Sequence, residues 1–187
     1  MWDDVNYSRA DEITETIAIA DYIHGLPVDE IERNGFQMCT NAPIIVGKNV
    51  RIIRGYAFGY TYQTTGSYTV AADAVLEQYS FHTSSFSEIV LSEGITEIPL
   101  NCFQEAKMTS ITIPSSVTKI GDQAFYNCPS DGLEIRIPAS VTTMGAGVFE
   151  GLKDTQTVYL PFAEGNAPAG YDAEWLRGCN AKIVYEG

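Results

Sequence analysis

The sequence predicts an α/β solenoid, a right-handed superhelix with coils of about 22–24 residues and a parallel β-sheet on its concave side. Phenylalanines recur at a nearly constant interval, and the residues around each one match in size and polarity. A short segment of alternating apolar residues precedes each repeat. A coil of this length has room for one strand, one turn and a short helical or irregular return, and we expect capped ends.

The phenylalanine lattice is the strongest signal. Six of the eight phenylalanines are separated by 22, 23, 22, 22 and 24 residues: Phe36, Phe58, Phe81, Phe103, Phe125 and Phe149. The position five residues before each is always apolar: Ile31, Ile53, Leu76, Ile98, Ile120 and Met144. The position eight residues before is apolar in all but the third coil, which has Asp73: Val28, Val50, Asp73, Ile95, Val117 and Val141. Columns matched in this way indicate stacked coils.

Each coil also carries a predicted strand. The period-2 segments are "PIIVG" (43–47), "EIVLS" (88–92), "SITIP" (110–114), "EIRIP" (134–138) and "TVYLP" (157–161). Pro114, Pro138 and Pro161 end their strands, because proline has no amide proton for the ladder. The "V-x-x-I-x-x-x-A-F" part that follows predicts a compact, short-helical or irregular return.

The segment "MTSITIPSSVTKIGDQAFYNC" (108–128) resembles the leucine-rich repeat of the BspA-like bacterial surface-antigen type, L-x-x-I-x-I-P-x-S-V-x-x-I-G-x-x-A-F-x-x-C. Coils 86–106 and 133–152 match well, 28–58 matches on its V, I and F positions, and the coil ending at Phe81 departs most. The resemblance implies a curved leucine-rich-repeat solenoid with a parallel concave sheet. It also implies an adhesin or secreted interaction protein at the cell surface or outside the cell.

The predicted organisation is one domain in three parts: an N-terminal cap with a first strand or short helix (1–27), the repeat solenoid (28–162) and a C-terminal cap (163–187). The next lattice phenylalanine would fall near 172, where the sequence has none. We expect "AKIVY" (181–185) to form a last strand, and Trp175 and Leu176 to cover the open face of the terminal coil.

Composition excludes several classes of partner. The net charge of −13, from 11 basic and 24 acidic residues, argues against nucleic acid and anionic membranes. No apolar run approaches the ~18 residues of a membrane helix, so we expect no membrane insertion. The start, "MWDDVNYSRADEITET", lacks the basic and apolar regions of a signal peptide.

Candidate chemical groups are few. We expect Cys39, Cys102 and Cys128 to be buried free thiols, with a disulfide as the alternative and no histidine nearby to activate them. The two histidines, His24 and His82, are interpreted as turn or surface residues. Acidic clusters at 3–4, 11–12 and 28–32 lack calcium-loop spacing and predict solvated surface. We therefore expect no enzyme, catalytic residue, metal or cofactor.

Two surfaces are candidate binding sites. The first is the concave face, where side chains between the core positions point outward: Ile45, Glu88, Val90, Ser110, Thr112, Glu134, Arg136, Thr157 and Tyr159. The second is an aromatic patch in which the tyrosines either lie at the surface or fill the core of the irregular third coil: Tyr56, Tyr60, Tyr62 and Tyr68.

The function that these features favour is a non-catalytic binding or adhesion module, which presents its concave surface to an unknown protein or glycan partner. The alternative is a structural, self-associating segment of a larger surface assembly. We expect a monomer in the first case.

Overall fold

The computed structural model describes residues 15–39, 43–62 and 66–187. The described residues form a β-solenoid of 17 short strands: β1 (Ile17–Ala18), β2 (Tyr22–Ile23), β3 (Leu26–Pro27), β4 (Glu30–Ile31), β5 (Ile44–Ile45), β6 (Ile52–Ile53), β7 (Ser67–Val70), β8 (Val75–Leu76), β9 (Glu88–Leu91), β10 (Glu97–Ile98), β11 (Ser110–Thr112), β12 (Lys119–Ile120), β13 (Glu134–Arg136), β14 (Thr143–Met144), β15 (Thr157–Leu160), β16 (Gly170–Tyr171) and β17 (Lys182–Tyr185).

Each coil contributes one strand to a long sheet and one to a short sheet. The long sheet has six parallel strands in the order β17-β15-β13-β11-β9-β7, and β1 pairs with β5 separately. The short strands form two parallel sheets, β4-β6-β8 and β10-β12-β14-β16. The predicted repeat period and the strands at 43–47, 88–92, 110–114, 134–138 and 157–161 are confirmed, although the strands are shorter than those segments.

The core contains a column of stacked phenylalanines. The rings of Phe58, Phe81, Phe103, Phe125 and Phe149 are fully buried, and neighbouring ring centroids lie 5.2–6.0 Å apart with interplanar angles of 9–26°. Phe36 begins the column, 5.9 Å from Phe58, and is only partly buried. The regular interval between phenylalanines in the sequence therefore arises because each coil contributes one ring to the column.

The predicted α/β class and the short-helical form of the return are wrong, because no helix is present within the described ranges. The returns there are turns, which agrees with the irregular form that the sequence left open. The amides of Asn101, Phe103 and Glu105 donate to carbonyls of the next coil over 2.8–3.0 Å. The amides between them, those of Cys102 and Gln104, close turns inside their own coil. A helix would use every amide within the segment, so this alternation excludes it.

The returns also hold non-glycine residues in the left-handed region, where L-residues are uncommon. Two residues before the phenylalanine, φ is 62° at Asn34 and 52° at Asn101, and two residues after it, φ is 56° at Glu105. A positive φ on either side of the ring turns the chain sharply twice. The phenylalanine is thereby aimed inward at the apex of each return.

The third coil interrupts both sheets. Its connection is short: Tyr68 and Leu76 are eight positions apart, whereas Ile111 and Ile120 are nine apart. Leu76 nevertheless pairs with Ile53, and Tyr68 with Ile89, so the register of this degenerate coil is settled. Within the described ranges, β7 does not pair with β5, and β8 does not pair with β10.

The C-terminal segment adds a strand and an aromatic side chain to the last coil. Strand β17 pairs with β15, and the indole of Trp175 packs edge-on against Phe149 with centroids 6.2 Å apart. Leu176 stands five residues after Tyr171 of β16, so it takes the column position that the period alone placed near 172. At the other end, the predicted first strand is present as β1.

The phenylalanine column makes a quantitative prediction. Phe125→Ala should lower the free energy of unfolding by about 3–5 kcal/mol, because it leaves a cavity between two buried rings. Phe36→Ala is the matched control and should cost less, because its ring is only partly buried. Urea titration measures both changes, and an equal small loss in both would contradict a continuous stack.

Candidate functional site

The outward face of the long sheet is the first candidate site. Parallel pairing places two files of side chains on it. The first file is Ser67, Glu88, Ser110, Glu134, Thr157 and Lys182. The second file is Thr69, Val90, Thr112, Arg136, Tyr159 and Val184. Eight predicted concave-face residues therefore lie together as expected, and all eight are exposed or half-exposed.

Sequence reasoning did not assign side chains from the two outer strands to this face, although it predicted a last strand over 181–185, where β17 lies. Ser67 and Thr69 come from β7, and Lys182 and Val184 from β17. Both strands show the same period-2 alternation as the predicted ones, so a signal was present. Ile45, by contrast, lies on β5, which pairs with β1 and is separated from the files by a cleft.

A cluster of four polar side chains occupies one end of the face; we call it the Arg136 cluster. The guanidinium carbon of Arg136 lies 3.9 Å from the ring centroid of Tyr159, and Arg136 forms an ion pair with Glu186. The hydroxyl of Tyr159 donates to Glu134 Oε1 at 3.1 Å. The hydrogen bond to Glu134 raises the pKa of Tyr159, and the pair with Glu186 raises the pKa of Arg136. The cluster is thus charged and internally oriented at neutral pH.

The predicted aromatic patch divides into three places. Tyr56 stacks on Tyr79 with centroids 4.9 Å apart and planes 5° apart, and Tyr60 lies 4.9 Å from His82. Tyr62 is 42% exposed, with Lys107 Nζ 4.6 Å from its ring centroid.

Tyr68 does not belong to an exposed aromatic patch. It is only 6% exposed, and its ring packs on Phe58, Phe81 and Phe86. Burial raises its pKa. Tyr68 is a core residue, and the alternative that some tyrosines fill the third coil holds for it.

His82 also departs from its predicted surface position. Its imidazole is 6% exposed, and its Nδ1 lies 2.9 Å from Thr83 Oγ1. Three tyrosine rings surround it, those of Tyr56, Tyr60 and Tyr79. Burial lowers the pKa of His82, and the nearby Glu105 acts in the opposite direction. His24 lies at an exposed turn as expected.

Cys102 and Cys128 are buried free thiols, as predicted, and Cys39 is buried as well. Cys102 Sγ lies 3.3 Å from Ser80 Oγ, and the thiol of Cys128 donates to the Phe103 carbonyl at 3.2 Å. Burial raises the pKa of both thiols to about 12. A protonated, inaccessible thiol is a poor nucleophile, which agrees with a packing role. Cys179 is only half-buried.

The acidic clusters and the possible metal ligands provide no further candidate for a functional site among the described residues. In the part of the chain that the structure describes, no three His, Cys, Asp or Glu side chains are placed to hold a metal ion. The acidic pairs at 3–4 and 11–12 lie outside the described residues. In the third acidic cluster, Glu30 pairs with Arg54 at 2.5 Å, while Asp29 and Glu32 are exposed. No helix among the described residues is long and apolar enough to cross a membrane.

Comparison with known families agrees with this geometry. The BspA type leucine rich repeat region matches in six copies over residues 22–132 and 74–165. The chain belongs to the BspA-type leucine-rich repeat family. A comparison with curated proteins finds no match.

Three solved structures are similar to the BspA-type chain. A leucine-rich repeat protein of T. pallidum is 22% identical, with TM-score 0.45, 92% of this chain covered and 71% of that one. One of Bacteroides ovatus is 18% identical, with TM-score 0.47 and coverage of 95% and 56%. A leucine-rich cell surface protein of Faecalibacterium prausnitzii is 17% identical, with TM-score 0.37 and coverage of 97% and 62%.

The buried imidazole predicts a pH dependence. The unfolded chain binds a proton near pH 6.5, whereas folded His82 has a lowered pKa and stays neutral. The free energy of unfolding should therefore fall as pH drops from about 6.5 towards 5.5. His82→Gln should flatten the curve in that window, as urea titrations at each pH will show. An unchanged slope in the variant would contradict a buried neutral His82.

The thiols predict a reactivity order. Cys179 should react first with Ellman's reagent, because only it among the four is half-exposed, while Cys102 and Cys128 should react only as the chain unfolds. Cys179→Ser should remove the fast phase and leave the slow one. Rapid labelling of Cys102 in the folded protein, mapped by mass spectrometry, would refute its burial.

Proposed function

We propose that the protein is a non-catalytic binding module whose outward long-sheet face, predicted to be concave, receives a protein or glycan partner. The observation that carries the proposal is the in-register face of six parallel strands. Two files of hydroxyl, charged and aromatic side chains follow one another at the strand spacing of about 4.8 Å. Repeat scaffolds commonly use such extended surfaces for recognition.

The Arg136 cluster supports the proposal. Arginine and tyrosine are the residue types that most often dominate binding energy at interfaces. Here Arg136 and Tyr159 contact each other, and each has a carboxylate partner, Glu186 and Glu134. The pair is therefore held in place before a partner arrives, which lowers the entropy lost on binding.

The surroundings of the face favour a solvated, reversible contact. Serine and threonine fill five of the twelve positions in the two files, and none of these five side chains is fully buried: Ser67, Thr69, Ser110, Thr112 and Thr157. A cell-surface or extracellular location is part of this proposal, and membership of the BspA-type family supports it. Within it, the partner is a macromolecule that contacts several coils at once.

A binding array of glycans and surface proteins, followed by variants, tests the proposal. Arg136→Ala with Tyr159→Ala should weaken binding to a retained partner by about tenfold or more. The melting temperature should change little, because both side chains are exposed or half-exposed.

The matched control is Lys119→Ala, which removes another exposed cation and its 2.8 Å ion pair with Glu97 on the short sheet. Its affinity should equal that of the wild type. Equal affinity in the double variant and the wild type would rule out this face.

A further inference from the structure

The long sheet has a gap between β5 and β7. The long strands of the other consecutive coils pair in parallel, but within the described ranges β5 pairs only with β1, and β7 only with β9. A cleft of about 350 Å³ lies in this gap, lined by residues of both strands and by the buried Phe86. Its volume falls in the range of ligand sites, about 300–1,000 Å³.

The backbone of β7 directs hydrogen-bonding groups into the gap. In a strand that lies between two neighbours, successive residues bond to opposite sides. The carbonyls of Gly66 and Val70 accept amides from the following coil at 3.0 and 3.3 Å. The residues of the opposite phase, Ser67 and Thr69, therefore turn their amides and carbonyls away from β9 and towards β5.

The backbone of β5 faces the gap from the other side. The carbonyls of Pro43 and Ile45 each accept an amide from the preceding coil at 2.8 Å. Ile44 and Val46 have the opposite phase, so their amides and carbonyls point towards β7. The cleft is thus bounded by two parallel strand edges whose donors and acceptors face each other.

These groups do not satisfy one another. If the two strands paired as the other long strands do, the Thr69 amide would donate to the Ile44 carbonyl, and the Val46 amide would donate to the Thr69 carbonyl. Neither bond is made, and no backbone of the described chain takes its place. An unpaired strand edge is a template for pairing with another chain, and here two such edges border one cleft.

The gap requires an occupant with two free edges. Each strand that the structure describes already pairs with at least one neighbour. A folded second copy would therefore present at most one free edge, and it could not bond to β5 and β7 together. An extended peptide segment has alternating amides and carbonyls along both edges, which is the chemistry used when a peptide adds a strand to a sheet.

The side chains around the gap define the pattern of this peptide. Ile44 and Tyr68 occupy the core phase on either side and are 7% and 6% exposed, and Phe86 is 2% exposed. A residue that points inward between them must therefore be apolar. On the outer surface Ile45 is 59% exposed, so a β-branched residue in the outward phase would cover its apolar surface.

We propose that the gap binds an extended peptide segment of a partner protein, which inserts parallel to β5 and β7 and completes the long sheet. Main-chain hydrogen bonds to both edges supply the affinity, and the inward apolar residue supplies the selectivity. The insertion would join β1 and β5 to the six-stranded sheet. The Arg136 cluster contributes no strand that borders the gap, so either proposal stands or fails without the other.

Hydrogen exchange of the full chain, followed by NMR, tests the state of the gap. In the free protein the amides of Val46 and Thr69 should exchange rapidly, whereas the amide of Tyr68, which has the phase of the β9 ladder, should exchange slowly. A bound peptide should slow exchange at Val46 and Thr69 at least about tenfold and leave Tyr68 unchanged. Protection of Thr69 without peptide, at any protein concentration, would overturn the proposal, because the chain itself or a second copy would then fill the gap.

A peptide library tests the occupant. Blocked pentapeptides that carry Ile, Val, Thr or Ser at each position are titrated by fluorescence anisotropy up to about 500 µM, a range that includes weak complexes. N-methylation at the middle residue of the tightest peptide should raise its dissociation constant at least about tenfold, because it removes a main-chain donor. N-methylation at the first residue, outside the three residues that span the gap, is the matched control and should change the affinity little.

Two results of this titration would overturn the proposal. One is a library in which no peptide binds below about 500 µM. The other is an equal effect of N-methylation at the two positions, since the peptide would then bind without main-chain pairing.

A pair of variants at one position tests the edge of β7. Thr69→Pro removes an amide that points into the gap and leaves the ladder with β9 intact, and proline is tolerated on an edge strand. It should raise the dissociation constant at least about tenfold, whereas Thr69→Val keeps the amide and should bind like the wild type. Circular dichroism melts establish that both variants are folded. A folded Thr69→Pro variant with wild-type affinity would contradict strand insertion.

Discussion

The column of phenylalanine rings is the constraint on which the solenoid depends. Rings 5.2–6.0 Å apart and nearly parallel can stack only if every coil returns to the same point at the same height. Coil length is therefore held near 22–24 residues at the returns. The connections between long and short strands do not cross the column, so they tolerate insertion, as in the first coil, and shortening, as in the third. Irregularity therefore occurs where the column does not reach.

The sequence predicts what depends on local period, and it fails where hydrogen bonds are non-local. Strand β11 can be predicted from the sequence because Ile111 alternates with Ser110 and Thr112. The conformation of the return around Phe103 cannot be predicted in this way, since it depends on amides that donate to the following coil. Short-range pattern also left Tyr68 undecided between surface and core, although its position between Ser67 and Thr69 is the core phase of a strand. His82 lacked any such signal, because three tyrosines from two coils enclose it.

The third coil shows how one departure is absorbed. Asp73 stands in an apolar column with φ of 57°, and it occupies space that a side chain at Gly94 would need. The short sheet is interrupted beside it, and a cleft separates β5 from β7 in the long sheet. The phenylalanine column still passes through, because Phe81 keeps its ring 5.2 Å from Phe58 and 5.3 Å from Phe103. A solenoid can thus open clefts locally without losing its stacking, since each coil needs only its neighbours.

The chemistry of the long-sheet face follows from the same rigidity. Exposed ion pairs such as Arg136–Glu186 stabilise a fold little, because water screens them and the side chains lose freedom. A partner carboxylate that displaces Glu186 would therefore cost the fold little stability. It would also contact an arginine that is already oriented over Tyr159. The stacking column fixes the strand spacing, and that spacing fixes the distance between successive outward side chains. A partner of the kind proposed must therefore carry groups that repeat at those distances. Specificity on such a face is therefore a property of register as much as of residue type.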